Sequence, residues 1–423
     1  MRTLLGLLLC SVVTVCVAQQ QTPSLQQRAL AAYKTKDFAT FLVLEKQLYA
    51  LSPRDPRTAY NLACGEALVG HPAESVRLLG QLLAWGLDFD ADKDSDFLPI
   101  YPSTEWIDFK VQLAGFRKPI VRSATAFTLP EKGLLAAGIA VDEKSGDTYV
   151  SSARERKIVK RSKTGVVSDF ATEKDGLLAV SYLVIDPARS QLIASVGAVP
   201  FMRGYRKEDE AQTGIFIFDL ATGKLVRKVF LVSRADQHLL NAAVVDRAGN
   251  VFVVDSASRE IYRLRRSSSE LELYISSVVF QAPQALVLSA DERTLYVVDY
   301  MDGIWAMEVL STDRRRLDTA PDVFTGGLLG LARLEDGFIG VQNGARPNRV
   351  VRFRLDKKGE AIASAEVLER NLPEYLGPAQ GTLSGSDFIY IANSQLNFLD
   401  PKTDAFPEDK AQPTIVLRLP LGK

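Results

Sequence analysis

The sequence predicts a mainly β chain, a six-bladed β-propeller preceded by a small all-α segment. Three patterns carry that prediction. A β phrase of one pattern, an apolar run, an Asp/Ser turn, a second apolar run, a short polar gap and a third run, occurs twice, as HLLNAAVVDRAGNVFVVDSASREIYRL at 238–264 and APQALVLSADERTLYVVDYMDGIWAME at 282–308. Apolar runs that open similar units end near Asp142, Asp186, Asp246, Ser289, Leu334 and Leu383, at spacings of 44, 60, 43, 45 and 49 residues. Upstream, a helical pattern repeats after 34 residues.

Residues 1–18 read as a secretory leader, with Arg2 before the apolar stretch Leu4–Leu9 and Val12–Val15, and Cys16-Val17-Ala18 as a small-residue cleavage site. That pattern points to a secreted or periplasmic protein without a transmembrane anchor once the leader is removed. Past the leader only Cys64 remains, so no intrachain disulfide forms there. Its place on an apolar helical face favours a buried thiol over a reactive one. Lys plus Arg and Asp plus Glu are 51 each, so no global field draws the chain to nucleic acid or anionic lipid.

Residues 22–115 form the predicted helical domain. The 34-residue shift aligns Leu42 with Val76, Leu44 with Leu78 and Leu48 with Leu82, and this is the tetratricopeptide period. Pro53 and Pro56 mark the boundary between two hairpins. Two such hairpins need a neighbour to complete a core, so Phe97, Trp106 and Phe109 are expected in a cap or docked on the β domain. Between the hairpins and that cap lies DFDADKDSD, with Asp88, Asp90, Asp92, Asp94 and Asp96. A calcium loop requires Gly at its sixth position and Glu at its twelfth. Counting from Asp88 these are Lys93 and Pro99, and from Asp90 they are Ser95 and Tyr101, which favours a solvated acidic linker.

Residues 120–423 supply the predicted propeller, each unit reading as four short strands. IVKRS at 158–162, LVRKVF at 225–230 and RVVRFRL at 349–355 are outer strands, and TIVLRLPL is expected to pair near Thr125–Leu129 and close the ring. Strands alternate in direction, so the start of each innermost strand and each loop after the second strand share one face. The inner-strand positions read as Ala137, Ser181, Asn241, Gln284, Leu329 and Pro378. The 60-residue spacing places a long loop, VGAVPFMRGYRKEDEAQ, on the same face, with Phe201, Met202 and Tyr205 as a lid. Asp255, Asp299 and Asn343 occupy one position from unit to unit, with Asn393 close to it, and are expected to hold turns. Residues that occur once are the better ligand-binding candidates: Asn241, Gln284, Arg346, Gln380 and Tyr205. His238 is a weak candidate for a catalytic base, since no nucleophile or orienting group can be assigned to it.

The phrases N-x-x-x-x-D-x-x-G-N-x-F-V-x-D-S and P-x-x-L-x-L-S-x-D-x-x-x-L-Y-V-x-D, over about residues 130–400, resemble the senescence-marker-protein, gluconolactonase and luciferin-regenerating-enzyme family of six-bladed propellers. The resemblance to strictosidine-synthase-like and NHL propellers is looser. It implies a channel site in which a Glu, an Asn and an Asp hold one divalent cation, usually calcium, which polarises a lactone and activates water. Carried across, those positions are Ala137, Gln284 and Leu329, and Asn241 alone matches, at a substrate-side position. The implied calcium is therefore not expected here. No H-E-x-x-H, G-x-S-x-G, P-loop or dinucleotide fingerprint is present. Two functions stay open: binding of a small polar molecule or a protein partner through the propeller face and the helical repeats, or a gluconolactonase-like hydrolase with a rearranged site.

Overall fold

The computed structural model describes residues 24–232, 237–276 and 279–422. The leader at 1–18 lies outside them. The chain divides into a helical unit ending at Lys118 and a β unit, Pro119–Lys423. No helix among the described residues is long and apolar enough to cross a membrane.

The helical unit contains α1 (residues 24–34), α2 (Phe38–Leu51), α3 (Pro56–Leu68), α4 (Pro72–Ala84) and α5 (Thr104–Phe116). Each start has a local cause. Asp37 caps α2 by accepting from Thr40 N, Asp55 caps α3 ahead of Pro56, Pro72 opens α4, and Ser103 accepts from Trp106 N at α5. Leu44 and Leu48 on α2 and their 34-shifted counterparts Leu78 and Leu82 on α4 are all buried. The expected cap forms within this unit: Phe97 stacks on Trp106 at 5.4 Å, and Trp106 tilts against Phe109 at 5.5 Å.

The β unit is a six-bladed propeller, as the repeats predict. Blade one is Ile139–Asp142, Asp147–Ser152, Lys157–Arg161 and Val167–Ala171; blade two is Ala179–Asp186, Gln191–Gly197, Thr213–Asp219 and Leu225–Phe230. Blade three is Leu240–Val245, Val251–Asp255, Glu260–Leu264 and Leu271–Ile275; blade four is Pro283–Leu288, Thr294–Asp299, Gly303–Glu308 and Arg314–Arg316. Blade five is Leu328–Leu334, Gly337–Gln342, Arg349–Leu355 and Ala361–Arg370, with Asp318–Thr319 added in parallel at its outer edge.

Blade six closes the ring. Gly381–Ser384, Asp387–Ile391 and Pro413–Pro420 come from the C-terminal end, and the outermost strand is Ala124–Lys132. Thr125 lies opposite Leu417 and Leu129 opposite Thr414, the expected pairing. Closure satisfies strand edges that would otherwise recruit other chains. The seam is locked by the buried Glu369 carboxylate, which accepts from Arg122 N at 2.9 Å, Ser123 Oγ at 2.7 Å and Tyr390 Oη at 2.6 Å. The cores lie between blades, where alternate strand residues from neighbouring sheets meet. Between blades four and five, for example, Tyr296 packs edge-on against Phe338 at 4.8 Å.

Candidate functional site

The face that carries the loops after each second strand is built from one corner design. In blade three, Asp255 ends the second strand and its Oδ1 accepts from Leu239 N, Ala257 N and Ser258 N at 3.0–3.1 Å. In blade four, Asp299 accepts from Gln281 N, Ala282 N, Met301 N and Asp302 N. Both carboxylates are fully buried, and their donors hold the corner. His238 joins this arrangement. Its Nδ1 lies 2.5 Å from Asp255 Oδ2, and its ring stands edge-on to Tyr262 at 6.5 Å. Gln281, two residues before Pro283, holds the matching place in blade four, where a backbone N–H does what the imidazole does here.

The channel mouth is defined by a recurrent bulge. The innermost strand carries an extra residue at Ser181, Asn241, Gln284 and Leu329, where the pairing slips against the second strand. These are four of the six positions read from the sequence. In blade one the matching residue is Gly138, which accepts from Ser151 N, rather than Ala137. In blade six it is Gln380, which accepts from Ile391 N, rather than Pro378. The displacement, one residue in blade one and two in blade six, arises because irregular pairing at the strand start moves the local count without altering the apolar pattern that marks the strand.

The six mouth residues behave in two ways. Gln380 is buried, accepts from Ile139 N at 3.2 Å and donates from Nε2 to Leu183 O at 3.2 Å, tying blade six to blades one and two. The space it occupies exists because position 138 is glycine: a Cβ there would lie 2.9 Å from Leu183 N and 3.1 Å from Gln380 Oε1. Beneath it Tyr182 is buried, and burial pushes its phenol up to about 12 with Gln380 pulling the other way. On the other side, Asn241 Nδ2 donates to Gln284 Oε1 at 3.3 Å, and both residues are half-buried. Among the described residues, Asn241 Oδ1 and Gln284 Nε2 take part in no further hydrogen bond. The geometry therefore brings Asn241 and Gln284 together and gives Gln380 a separate, bonded place.

Tyr205 belongs to the long blade-two loop, which is anchored on blade one. Arg203 N donates to Arg154 O at 2.8 Å, the Arg203 side chain reaches Glu155 at 2.8 Å, and Met202 is buried. Tyr205 is half-buried against the core between blades one and two. A second excursion, residues 392–412 between Ile391 and Pro413, crosses the same face and offers Glu408 to Arg154. Blade spacing gives no sign of this one, because no unit comes after it. Arg346 is exposed on the blade-five loop, and its side chain makes no ion pair among the described residues.

In the helical unit the acidic run is neutralised from within. Arg117 donates to Asp88 at 2.5 Å and to Asp92 at 2.7 and 2.8 Å, and also reaches Asp90 at 3.2 Å. No spacing rule links an arginine after α5 to this run, so the clamp was not legible in the sequence. Cys64, Asp94 and Asp96 bring one ligand atom each within 4.8 Å of one another. Tyr60 and Tyr33 already donate to Asp94 and Asp96, and burial followed by the two carboxylates pushes the Cys64 thiol well up. Both effects disfavour the thiolate, the nucleophilic form.

No protein-family model matches the chain, and no curated protein matches it. Solved structures do. A putative gluconolactonase is 13% identical with a TM-score of 0.46, over 71% of this chain and 92% of that one. Virginiamycin B lyase from Staphylococcus aureus is 13% identical with a TM-score of 0.43, over 62% and 80%. The PQQ-bound aldose sugar dehydrogenase of Streptomyces coelicolor is 15% identical with a TM-score of 0.45, over 70% and 97%. The six-bladed propeller is shown by the chain's own sheet order.

Proposed function

We propose that this chain is a binding propeller that takes a small polar molecule at its channel mouth, between blades three and four. The observation that carries the reading is the Asn241–Gln284 pair, which leaves one acceptor, Asn241 Oδ1, and one donor, Gln284 Nε2, half-buried side by side. Such a pair suits a neutral ligand presenting a donor and an acceptor together, as a hydroxylated ring or an amide does. Leu329 gives the adjoining part of the mouth an apolar wall.

A calcium ion is not part of the proposal. The mouth residues Gly138, Ser181, Asn241, Gln284, Leu329 and Gln380 include no carboxylate, and the oxygen of Gln284 already accepts from Asn241. Hard divalent cations are held by carboxylates with other oxygen ligands, so this set does not fit one. The alternative reading, a lactonase-like hydrolase with His238 as base, has less support, because the imidazole lies against Asp255 and Tyr262 and takes the place that a backbone N–H holds one blade later.

Export belongs to the proposal on the strength of residues 1–18. The tetratricopeptide-like segment is proposed as a second contact surface, for a protein partner. The test of the mouth is calorimetry with a panel of neutral saccharides and amides on the full chain and on Gln284→Ala. Binding that weakens about tenfold in the variant, a change of about 1.4 kcal/mol, is the expected result. A neutral ligand bound equally by both proteins would remove Gln284 from the site, and silence across the panel would reject the ligand class.

A further inference from the structure

Blades three and four end their second strands in a carboxylate that collects backbone donors, and blade five departs from this. Its corner residue is Gln342, fully buried and of reversed polarity. Nε2 donates to Phe324 O at 3.1 Å and Gly326 O at 2.8 Å, while Oε1 accepts from Arg349 Nε at 2.7 Å. Arg349 stands where blades three and four have Glu260 and Gly303, directly across from the corner residue. It also lies opposite Arg370 on the outermost strand, so two guanidinium side chains are cross-strand neighbours.

Arg349 is only 4% exposed. Among the described residues its guanidinium has one hydrogen-bond partner, the neutral amide of Gln342, and no carboxylate forms an ion pair with it. Burial, and then the nearby Arg370, lower the group to about 9, which leaves it charged at neutral pH. Glu369, next to Arg370 in sequence, is held by Tyr390 of blade six and by Ser123. A buried guanidinium such as that of Arg349, with no carboxylate on it, is unfavourable until an anion joins it, and its planar shape matches oxyanions with two parallel bonds.

We propose that this corner of blade five is a binding site for a small oxyanion, a carboxylate or a phosphate, held by Arg349 beside Arg370 with the exposed Arg346 on the same loop at its rim. The site sits on the outer strands and is independent of the amide pair at the channel mouth. Neither the corner design of the other blades nor the fold requires two arginines here.

The test is thermal unfolding of the full chain at low ionic strength with inorganic phosphate, with acetate, and with chloride matched for ionic strength. Phosphate or acetate is expected to raise the midpoint by roughly 2 °C over chloride, and the more effective anion names the source chemistry. Arg349→Met is expected to lose that increment and, without anion, to unfold no earlier than the wild type, because the uncompensated charge is gone. Asn241→Ala is expected to keep the increment, which separates this site from the mouth. No anion-specific rise in the wild type would overturn the proposal. So would an Arg349→Met midpoint lowered equally with and without anion, since that result assigns the arginine to packing.

Discussion

Two halves of one channel mouth are built on the same bulge and put to opposite uses. On the side of blades six, one and two, Gln380 fills the space that Gly138 leaves and commits its amide to Ile139 N and Leu183 O. On the side of blades three and four, Asn241 and Gln284 bond each other once and keep one acceptor and one donor for something else. The lesson is that an amide in a propeller channel is not by itself a ligand group. What decides is whether the bulge beside it has left backbone groups to satisfy, and whether its neighbour is small enough to let it reach them.

The comparison can be broken most forcefully at Gly138. Gly138→Val is expected to cost about 4 kcal/mol in urea unfolding followed by β-sheet circular dichroism, because the backbone of Leu183, 2.9 Å from the new Cβ, cannot move aside. A loss below about 1 kcal/mol would show that the three inner strands are not locked together there. Gln380→Ala is expected to cost about 2–3 kcal/mol by the same measurement, since it strands the buried Ile139 N and Leu183 O.

The helical unit offers a contrast in which a buried polar group is left with a lone atom. Glu45 on α2 is 2% exposed, its Oε2 has no partner, and burial raises its carboxyl to about 7, with Asn61 pulling the other way. The folded state therefore holds the proton more tightly than the unfolded state. The contribution of Glu45 to the stability of this unit is full below the ordinary carboxyl value of 4.5 and is lost as pH rises through about 7. The expected loss is about 2 kcal/mol, read from helical circular dichroism against urea at several pH values, and Glu45→Gln should flatten it. An unchanged slope in the variant would place the titration elsewhere.

The smallest expected effect sharpens the comparison from its open side. Asn241→Ala is expected to change stability by no more than about 0.5 kcal/mol, because Gln284 keeps access to solvent when the shared bond is gone. A loss as large as that of Gln380→Ala would mean that both halves of the mouth are scaffold.

Much of the fold was legible in the repeats. The first strands end at Asp142, Asp186, Val245, Leu288, Leu334 and Ser384, within a residue of the positions read from the apolar runs, and the ring closes through the expected terminal pairing. The mouth was legible at Ser181, Asn241, Gln284 and Leu329 and slipped at its two ends, where the glycine and the bulged Gln380 leave no mark in the pattern. A one-residue slip also affects blade five. The sequence aligns Asn343 with Asp255 and Asp299, whereas pairing puts Gln342 opposite Leu328 at that corner and leaves Asn343 to meet Tyr300 and Pro378 O.

By itself the sequence determined the number of blades, the strand that closes them, the helical period and the residue types available at the mouth. These come from local rules, since apolar alternation and turn residues act over a few positions and recur wherever the repeat does. Only the tertiary structure decided which of those residues are already engaged. The Arg117 clamp on Asp88 and Asp92, the reach of Gln380 to Leu183 and the pairing of Arg349 with Arg370 all join positions brought together by chain folding. A side chain's chemistry is written in its residue type, but whether that chemistry is already satisfied depends on neighbours that only the closed ring or the packed helices supply.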